Sequence, residues 1–218
     1  MQQNHLVLRR ETPCDYRAVE ELTREAFWNH FSPGCCEHYL AHILRDSPDF
    51  VALLDYVATL DGEIIGSIFY SKASVCCDDG RRIPVLCFGP LSVAPAHQRH
   101  GVGSALIEHT VKLARDLGHR AILIYGDPLF YGRLGFAPAE HHQIGTADNM
   151  YADSLLALEL FDGALAGCSG RFVESGVFEL DEKEALAFDR SFAPRTALED
   201  NSDSQRRFRE LVQRRRPR

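Results

Sequence analysis

An apolar run from Val85 to Val93 passes through Pro95 into Gln98-Arg99-His100-Gly101-Val102-Gly103, and an amphipathic stretch bearing Leu106, Val111, Leu113 and Leu117 follows at once. Strand, glycine-bearing turn and helix in that order restrict the chain to α/β architectures in which a helix N-terminus meets a strand end. The first turn of a helix has N–H groups without intrahelical partners, and its dipole adds partial positive charge. Glycines let the backbone come close to an anion and take conformations barred to other residues. The segment reads as an anion cradle suited to a diphosphate.

Three such cradles differ in detail. A Walker A loop needs G-x-x-x-x-G-K-[ST], and no lysine follows Gly103. A dinucleotide-binding turn needs G-x-G-x-x-G, and position 106 is Leu. The pattern Q-x-x-G-x-G, preceded by V-x-P, resembles instead the acyl-CoA loop of the GNAT N-acetyltransferases. The competing reading is a tight turn whose glycines merely let a helix pack on a strand. A second segment lies downstream at the right distance. Gly118 supplies a helix stop, Ala121 to Tyr125 reads as a buried strand, and Gly126-Asp127-Pro128-Leu129-Phe130-Tyr131-Gly132-Arg133-Leu134-Gly135-Phe136 follows. Asp127 before Pro128 is an N-cap and first-turn pair, so a short helix should carry Tyr131, with Gly135 ending it. This order resembles the second characteristic segment of the same superfamily, and its wording is similar to the YhbS-like branch. The resemblance spans about residues 5–165 and is strongest from Val85 to Ala137.

The resemblance implies an α/β fold, a GNAT-type α/β/α sandwich with a mixed, mostly antiparallel sheet splayed between strands four and five. It implies acetyl-CoA as acyl-donor cosubstrate, no metal, and transfer of acetyl by direct attack to a primary amine of a small-molecule or peptide acceptor. The donor would lie on the backbone of Leu91, Ser92 and Val93 and on the loop Gln98, Arg99, His100, Gly101, Val102, Gly103 and Ser104. Tyr131 would be the general acid for the leaving thiolate, a task a phenol of pKa about 10 can perform. The Leu91 N–H would stabilise the oxyanion. Proline cannot donate to a ladder, so Gly89-Pro90 inside strand four marks an edge or a bulge, and in the family a bulge there opens the gap for the acetyl-pantetheine arm.

Several points stay open at this level. Family members often carry a glutamate base on strand four or five, and Val85 to Val93 has none. Glu37, His38, Asp55, His141 or a water chain are substitutes. Cys87 is the candidate for a rival acyl-cysteine route, although no histidine is tied to it by a motif. The family's acceptor site maps to Trp28 to Cys36 and His141 to Tyr151, where Trp28, Phe31 and Tyr151 are candidate lining residues. The functional alternative is a non-catalytic acyl-CoA-binding module.

Bulk properties narrow the classes further. With 218 residues, 45% hydrophobic and 25% charged, the chain is ordinary for a globular protein with one good-sized core. It has no apolar run of membrane-spanning length, and MQQNHLVLRRE lacks a signal-peptide apolar region, so a cytoplasmic location is expected. A net charge of −7 argues against general nucleic-acid binding, yet seven arginines against four acids crowd Leu198 to Arg218. A nucleic-acid role through that tail is a weaker alternative. The seven cysteines include no C-x-x-C, so reduced thiols are expected rather than structural zinc. A homodimer is a further expected assembly.

Along the chain the expected order is β-α-α-β-β-β-α-β-α-β-β. A first strand runs Leu6 to Arg10, a helix starts at Thr12-Pro13-Cys14-Asp15 and reaches about Phe27, and a second helix covers Glu37 to Arg45. Phe50 to Leu60 and Glu63 to Cys77 read as strands joined by Asp61-Gly62, and Leu155 to Leu160 as a late strand. Residues 1–165 form the catalytic domain, 166–197 an extension packed on it, and 198–218 a basic tail, helical from Ser202 to Arg216 or frayed.

Overall fold

The computed structural model describes residues 6–198 and 203–218. Strand β1 (Leu6–Arg10) leads to a helical turn at Pro13–Asp15 and helix α1 (Tyr16–Phe27). The Asp15 carboxylate accepts from the Thr12 N–H (2.8 Å) and hydroxyl (2.7 Å) and from Arg9, which closes the start of the helix. Helix α2 (Glu37–Leu44) follows, then β2 (Tyr56–Leu60), β3 (Glu63–Cys77) and β4 (Arg82–Val93). Next come α3 (Val102–Asp116), β5 (Ala121–Tyr125), α4 (Pro128–Tyr131), β6 (Ala137–Pro138), β7 (Ile144–Gly145), β8 (Met150–Ala152) and β9 (Leu155–Glu159). The chain continues through β10 (Gly170–Val173), α5 (Glu182–Asp189), α6 (Asp203–Gln213) and β11 (Arg215–Pro217). The Ser202 start expected for the last helix lies outside the described residues.

One expectation needs correcting. Phe50 to Leu60 is not a single strand. Val51 donates to Tyr70 O and Lys72 to Asp49 O, which holds residues 49–51 against the middle of β3. A helical turn at Ala52–Leu54 then carries the chain back before β2 begins at Tyr56. Alternation alone cannot detect that break, because every residue from Phe50 to Leu54 is apolar.

The main sheet has the order β1-β2-β3-β4-β5-β9-β6, with β10 joined to both β3 and β7. All pairs are antiparallel except β4–β5 and β7–β10. The β3–β4 hairpin has one irregularity. Ile68 faces Leu91 and Tyr70 faces Phe88, so β4 carries one extra residue at Gly89-Pro90, the expected bulge. Beside it, β4 and β5 pair only at Leu86 and Ile122. Both strands stay paired on their outer edges, β4 on β3 to either side of the bulge and β5 on β9 throughout, so they diverge beyond that point without losing their other ladders.

Helix α3 covers one face, where Tyr70 Oη meets Thr110 Oγ1 at 2.9 Å. Helices α1 and α2 cover the other, with Val19, Ala41 and Leu44 around Phe69. The α1–α2 layer is pinned by buried Arg45, which binds Glu11 (2.7 Å) and Glu20 (2.8 Å). Residues beyond 165 are joined to both layers. Strand β10 extends the sheet along β3, and Arg24 of α1 holds Asp189 of α5 with bonds of 2.6 and 3.2 Å.

The position of α3 depends on Gly66. A Cβ there would lie 3.0 Å from Val102 Cγ1 and 3.2 Å from both Leu106 Cδ1 and the Ser92 carbonyl. Gly66→Ala is therefore expected to destabilise the fold by about 1–3 kcal/mol, the usual cost of overpacking, and to push away the first turn of α3. Urea denaturation of the variant against wild type measures the loss.

Candidate active site

The β4–α3 connection forms a cradle from backbone geometry. Arg99 (φ 63°) and Gly101 (φ 87°) both adopt the left-handed conformation, on either side of His100. Alternation of hand turns successive N–H groups toward one point, the arrangement that binds anions. Gly101 is the N-cap of α3, and the first bond of the helical ladder runs from Ala105 N–H to Gly101 O (2.9 Å). The amides of Val102, Gly103 and Ser104 thus come before the ladder and emerge at the positive end of a fifteen-residue helix. The two glycines serve different needs. At Gly101 the need is conformational, since nothing lies within 4 Å of an added Cβ. At Gly103 an added Cβ would touch Val93, Leu91 and Phe130 at 3.6–3.9 Å, so that residue's smallness keeps the helix end open. Gln98 acts on the protein itself: its Nε2 donates to the Val93 carbonyl at 3.1 Å and ties the loop to the end of β4.

Strand β4 supplies the next part. Ala94 N–H bonds to Ile65 O on β3 (2.9 Å). Ladder groups alternate in side, so Ser92 also turns its amide to β3, whereas the N–H groups of Leu91 and Val93 face the gap toward β5. Of the three β4 residues expected in the site, Ser92 is thus directed elsewhere, and its buried hydroxyl donates to Thr23 of α1 at 2.9 Å.

Tyr131 closes the α3 side of the gap. Asp127 caps α4 by accepting from Leu129 N–H (2.9 Å), and the Tyr131 ring packs among Phe88 (5.9 Å between centroids), Phe130 (4.8 Å) and Phe136 (5.7 Å). Its hydroxyl has no hydrogen-bond partner among the described residues. Burial, with smaller contributions from Cys87 and Asp127, raises its pKa well above the usual phenol value, so it holds its proton through the physiological range. Gly126 makes room for the ring, because a Cβ there would stand 2.2 Å from Tyr131 Cε2 and 2.5 Å from Cδ2.

The base candidates read from sequence lie apart from this constellation or are engaged. His38 is buried beside Phe188 and Phe192, 3.1 Å from Asp189 and 3.3 Å from Cys35 Sγ, and burial lowers its pKa to about 4. Asp55 sits in the Glu11–Arg45 cluster, where burial and then Glu11 raise its carboxyl to about 9. Glu37 accepts from the Cys36 amide at 3.0 Å, and His141 is exposed on the turn after β6. Cys87 is buried, and desolvation followed by neighbouring Glu174 pushes its thiol far from the thiolate form. The partner Glu174, 3.6 Å away on the residue after β10, was not among the candidates.

The expected aromatic acceptor lining is covered by the extension and the C-terminal arm. Phe31 stacks on Phe208 of α6 (4.4 Å), Trp28 donates to Thr196 O (3.2 Å), and Arg216 lies over Tyr151 (5.3 Å). Strand β11 pairs with β8, and Arg207, Arg215, Arg216 and Arg218 bind Asp127, Asp148, Glu140 and Asp78. Among the described residues no group of His, Cys, Asp and Glu is arranged to hold a metal, and no helix is long and apolar enough to cross a membrane.

The chain is similar to known acetyltransferases. The acetyltransferase (GNAT) domain profile matches residues 54–138. The uncharacterized N-acetyltransferase YhbS of Escherichia coli K12 is 28% identical over 166 residues, covering 76% of this chain and 93% of the relative. The crystal structure of Escherichia coli YhbS in complex with CoA superposes with a TM-score of 0.73 at 26% identity, over 83% of this chain and 95% of that one. A GNAT family acetyltransferase from Brucella melitensis in complex with acetyl-CoA superposes with a TM-score of 0.63 over 81% of this chain and 99% of that one; at 24% identity the likeness is one of fold.

Gly126→Ala is expected to dislodge the Tyr131 ring and to lower stability by about 1–3 kcal/mol through overpacking. In a Tyr131→Ala background the same change should cost little. A double-mutant cycle on denaturation midpoints gives the coupling, and additive losses would show that the two residues do not meet.

Proposed function

This chain belongs to the GNAT N-acetyltransferase superfamily and is an acyltransferase, and we propose that it moves an acetyl group from acetyl-CoA to a primary amine by direct attack in a ternary complex. The observation that carries this reading is the pairing of the cradle at Arg99–Ser104 with the gap between β4 and β5. The pyrophosphate of the donor meets the amides at the α3 N-terminus, and its pantetheine arm takes the place of a strand beside Leu91 and Val93. Such binding brings the thioester between the bulge and Tyr131. Holding both reactants there supplies much of the rate through orientation.

In the reaction the amine nitrogen attacks the thioester carbonyl carbon, and the Leu91 N–H stabilises the developing oxyanion. The carbon–sulfur bond breaks as Tyr131 gives its proton to the leaving thiolate. A proton donor that stays protonated and has no competing partner is suited to this step. An acyl-cysteine route is disfavoured by the raised pKa of Cys87 and by the carboxylate at its side.

Other elements of the reading concern setting. The acceptor is a small-molecule or peptide amine, and the acidic body, −10 apart from the last 21 residues, would draw cations toward it. The segment 166–197 belongs to the same working unit as 1–165, a view supported by β10 lying in the sheet. The seven free thiols are in keeping with a reducing, cytoplasmic compartment. The alternative of a binding module without turnover is opposed by the free Tyr131 hydroxyl.

Two measurements test the proposal. Gly101→Val and Gly103→Val should each weaken acetyl-CoA binding in calorimetry, the first by excluding the left-handed conformation and the second by crowding the helix end. Unchanged affinity in both folded variants would remove the donor site. Tyr131→Phe should keep donor affinity while turnover in a thiol-release assay with a panel of amines falls at least about tenfold, since general acid catalysis is commonly worth 10²–10⁴-fold.

A further inference from the structure

We infer that Glu174 is the general base that takes the proton of the acceptor amine, an assignment that rests on the transfer reaction proposed above. The faces of the sheet carry the argument. Tyr70 reaches Thr110 on α3, and its cross-strand partner Phe88 points to the same face, where it meets Tyr131. Cys87, the preceding residue, points to the opposite face. On β5, Ile122 is registered with Leu86, so Tyr125, three residues on, also lies on the Cys87 face. Glu174 Oε1 is 3.6 Å from Cys87 Sγ, and its charge, after burial, raises the Tyr125 phenol. The carboxylate thus stands beside both diverging strands, on the face away from Tyr131.

That placement suits the chemistry. The leaving thiolate is served from the α3 side and the attacking nitrogen arrives from the other, so acid and base flank the gap. A second contact fixes the segment against the bulge: Phe178 Cε1 is 3.8 Å from where a Cβ of Gly89 would lie. Residues 174–178 therefore line β4 from Cys87 to Gly89.

The charged neighbours leave the carboxylate available. Glu174 borders a cleft of roughly 290 Å³ together with Asp49, Lys72 and Arg82. Lys72 Nζ is used by Pro48 O, Arg82 Nε by Ser74 Oγ and Asp49 by the Ser175 hydroxyl. Among the described residues no cation pairs with Glu174, and its one hydrogen bond comes from the Cys87 thiol. Burial raises its pKa above the usual carboxylate value, with the thiol partly offsetting this, which favours proton acceptance. In the balanced step the carbon–nitrogen bond forms, the carbon–sulfur bond breaks, Tyr131 protonates the sulfur and Glu174 takes the proton from nitrogen. Solvent in the cleft takes the proton on from Glu174, and Tyr131 regains its own from solvent once the thiol product has left.

The test uses the full-length chain, acetyl-CoA and a panel of primary amines comprising a polyamine, an aminoglycoside, an amino acid and a peptide N-terminus. Glu174→Gln should keep acetyl-CoA affinity and lower kcat/KM at least about tenfold. In the wild type kcat/KM should rise as pH passes upward through the Glu174 pKa, and that limb should vanish in Glu174→Gln and return in Glu174→Asp. Wild-type rates with an unchanged profile in Glu174→Gln would overturn the assignment and leave the transfer reaction standing. Parallel loss of donor affinity would also overturn it, by making Glu174 a structural residue. A wild-type chain that binds acetyl-CoA and acetylates no amine of the panel would overturn the transfer reaction and this assignment with it.

Discussion

The divergence of β4 from β5 is the constraint to which the rest of the structure answers. Two adjacent parallel strands would ordinarily bond along their whole length. Here the extra residue at Gly89-Pro90 shifts β4 after a single paired position, Leu86 with Ile122. The separation is tolerated because β5 is paired throughout on its other side and β4 is paired on its other side to both ends of the bulge. What remains is a wedge with backbone donors on one wall, a helix N-terminus at its mouth and a phenol at its side. None of these groups would meet a common ligand in a continuous sheet.

The local features of that wedge were legible in the chain. Helix starts at Thr12-Pro13 and Asp127-Pro128, the glycine pair before α3 and the proline within β4 are short-range signals whose physics acts over a few residues. The features that were not legible depend on distant partners. Glu174 follows Arg171-Phe172-Val173, an unmarked strand-like stretch, and acquires its position only when β10 pairs with β3. Ser92 looked equivalent to Leu91 and Val93 until the register gave its amide to β3. Likewise, Trp28, Phe31 and Tyr151 read as pocket aromatics, because nothing nearby announces that α6 and β11 lie across them.

The arginine-rich end illustrates how composition and structure combine. In isolation it suggests a phosphate-binding tail. In the fold, four of its arginines bind carboxylates spread over the loop after β3, the cap of α4, the turn after β6 and the loop before β8. The acidic excess of the body and the basic excess of the tail are two halves of one intramolecular complementarity. Each exposed pair adds little by itself, and their common direction fixes where the arm runs.

The pairing of β10 with β3 also bears on how the molecule comes into being. A chain emerging from the ribosome can form the β4 bulge, the glycine loop and α3 from consecutive residues. The strand that leads to Glu174 must return to a partner laid down far earlier, a contact of high sequence separation that is slow to close. The half of the wedge built from neighbouring residues can therefore form without waiting for the half built from distant ones. Docking of β10 on β3 is then the step that carries Glu174 to Cys87.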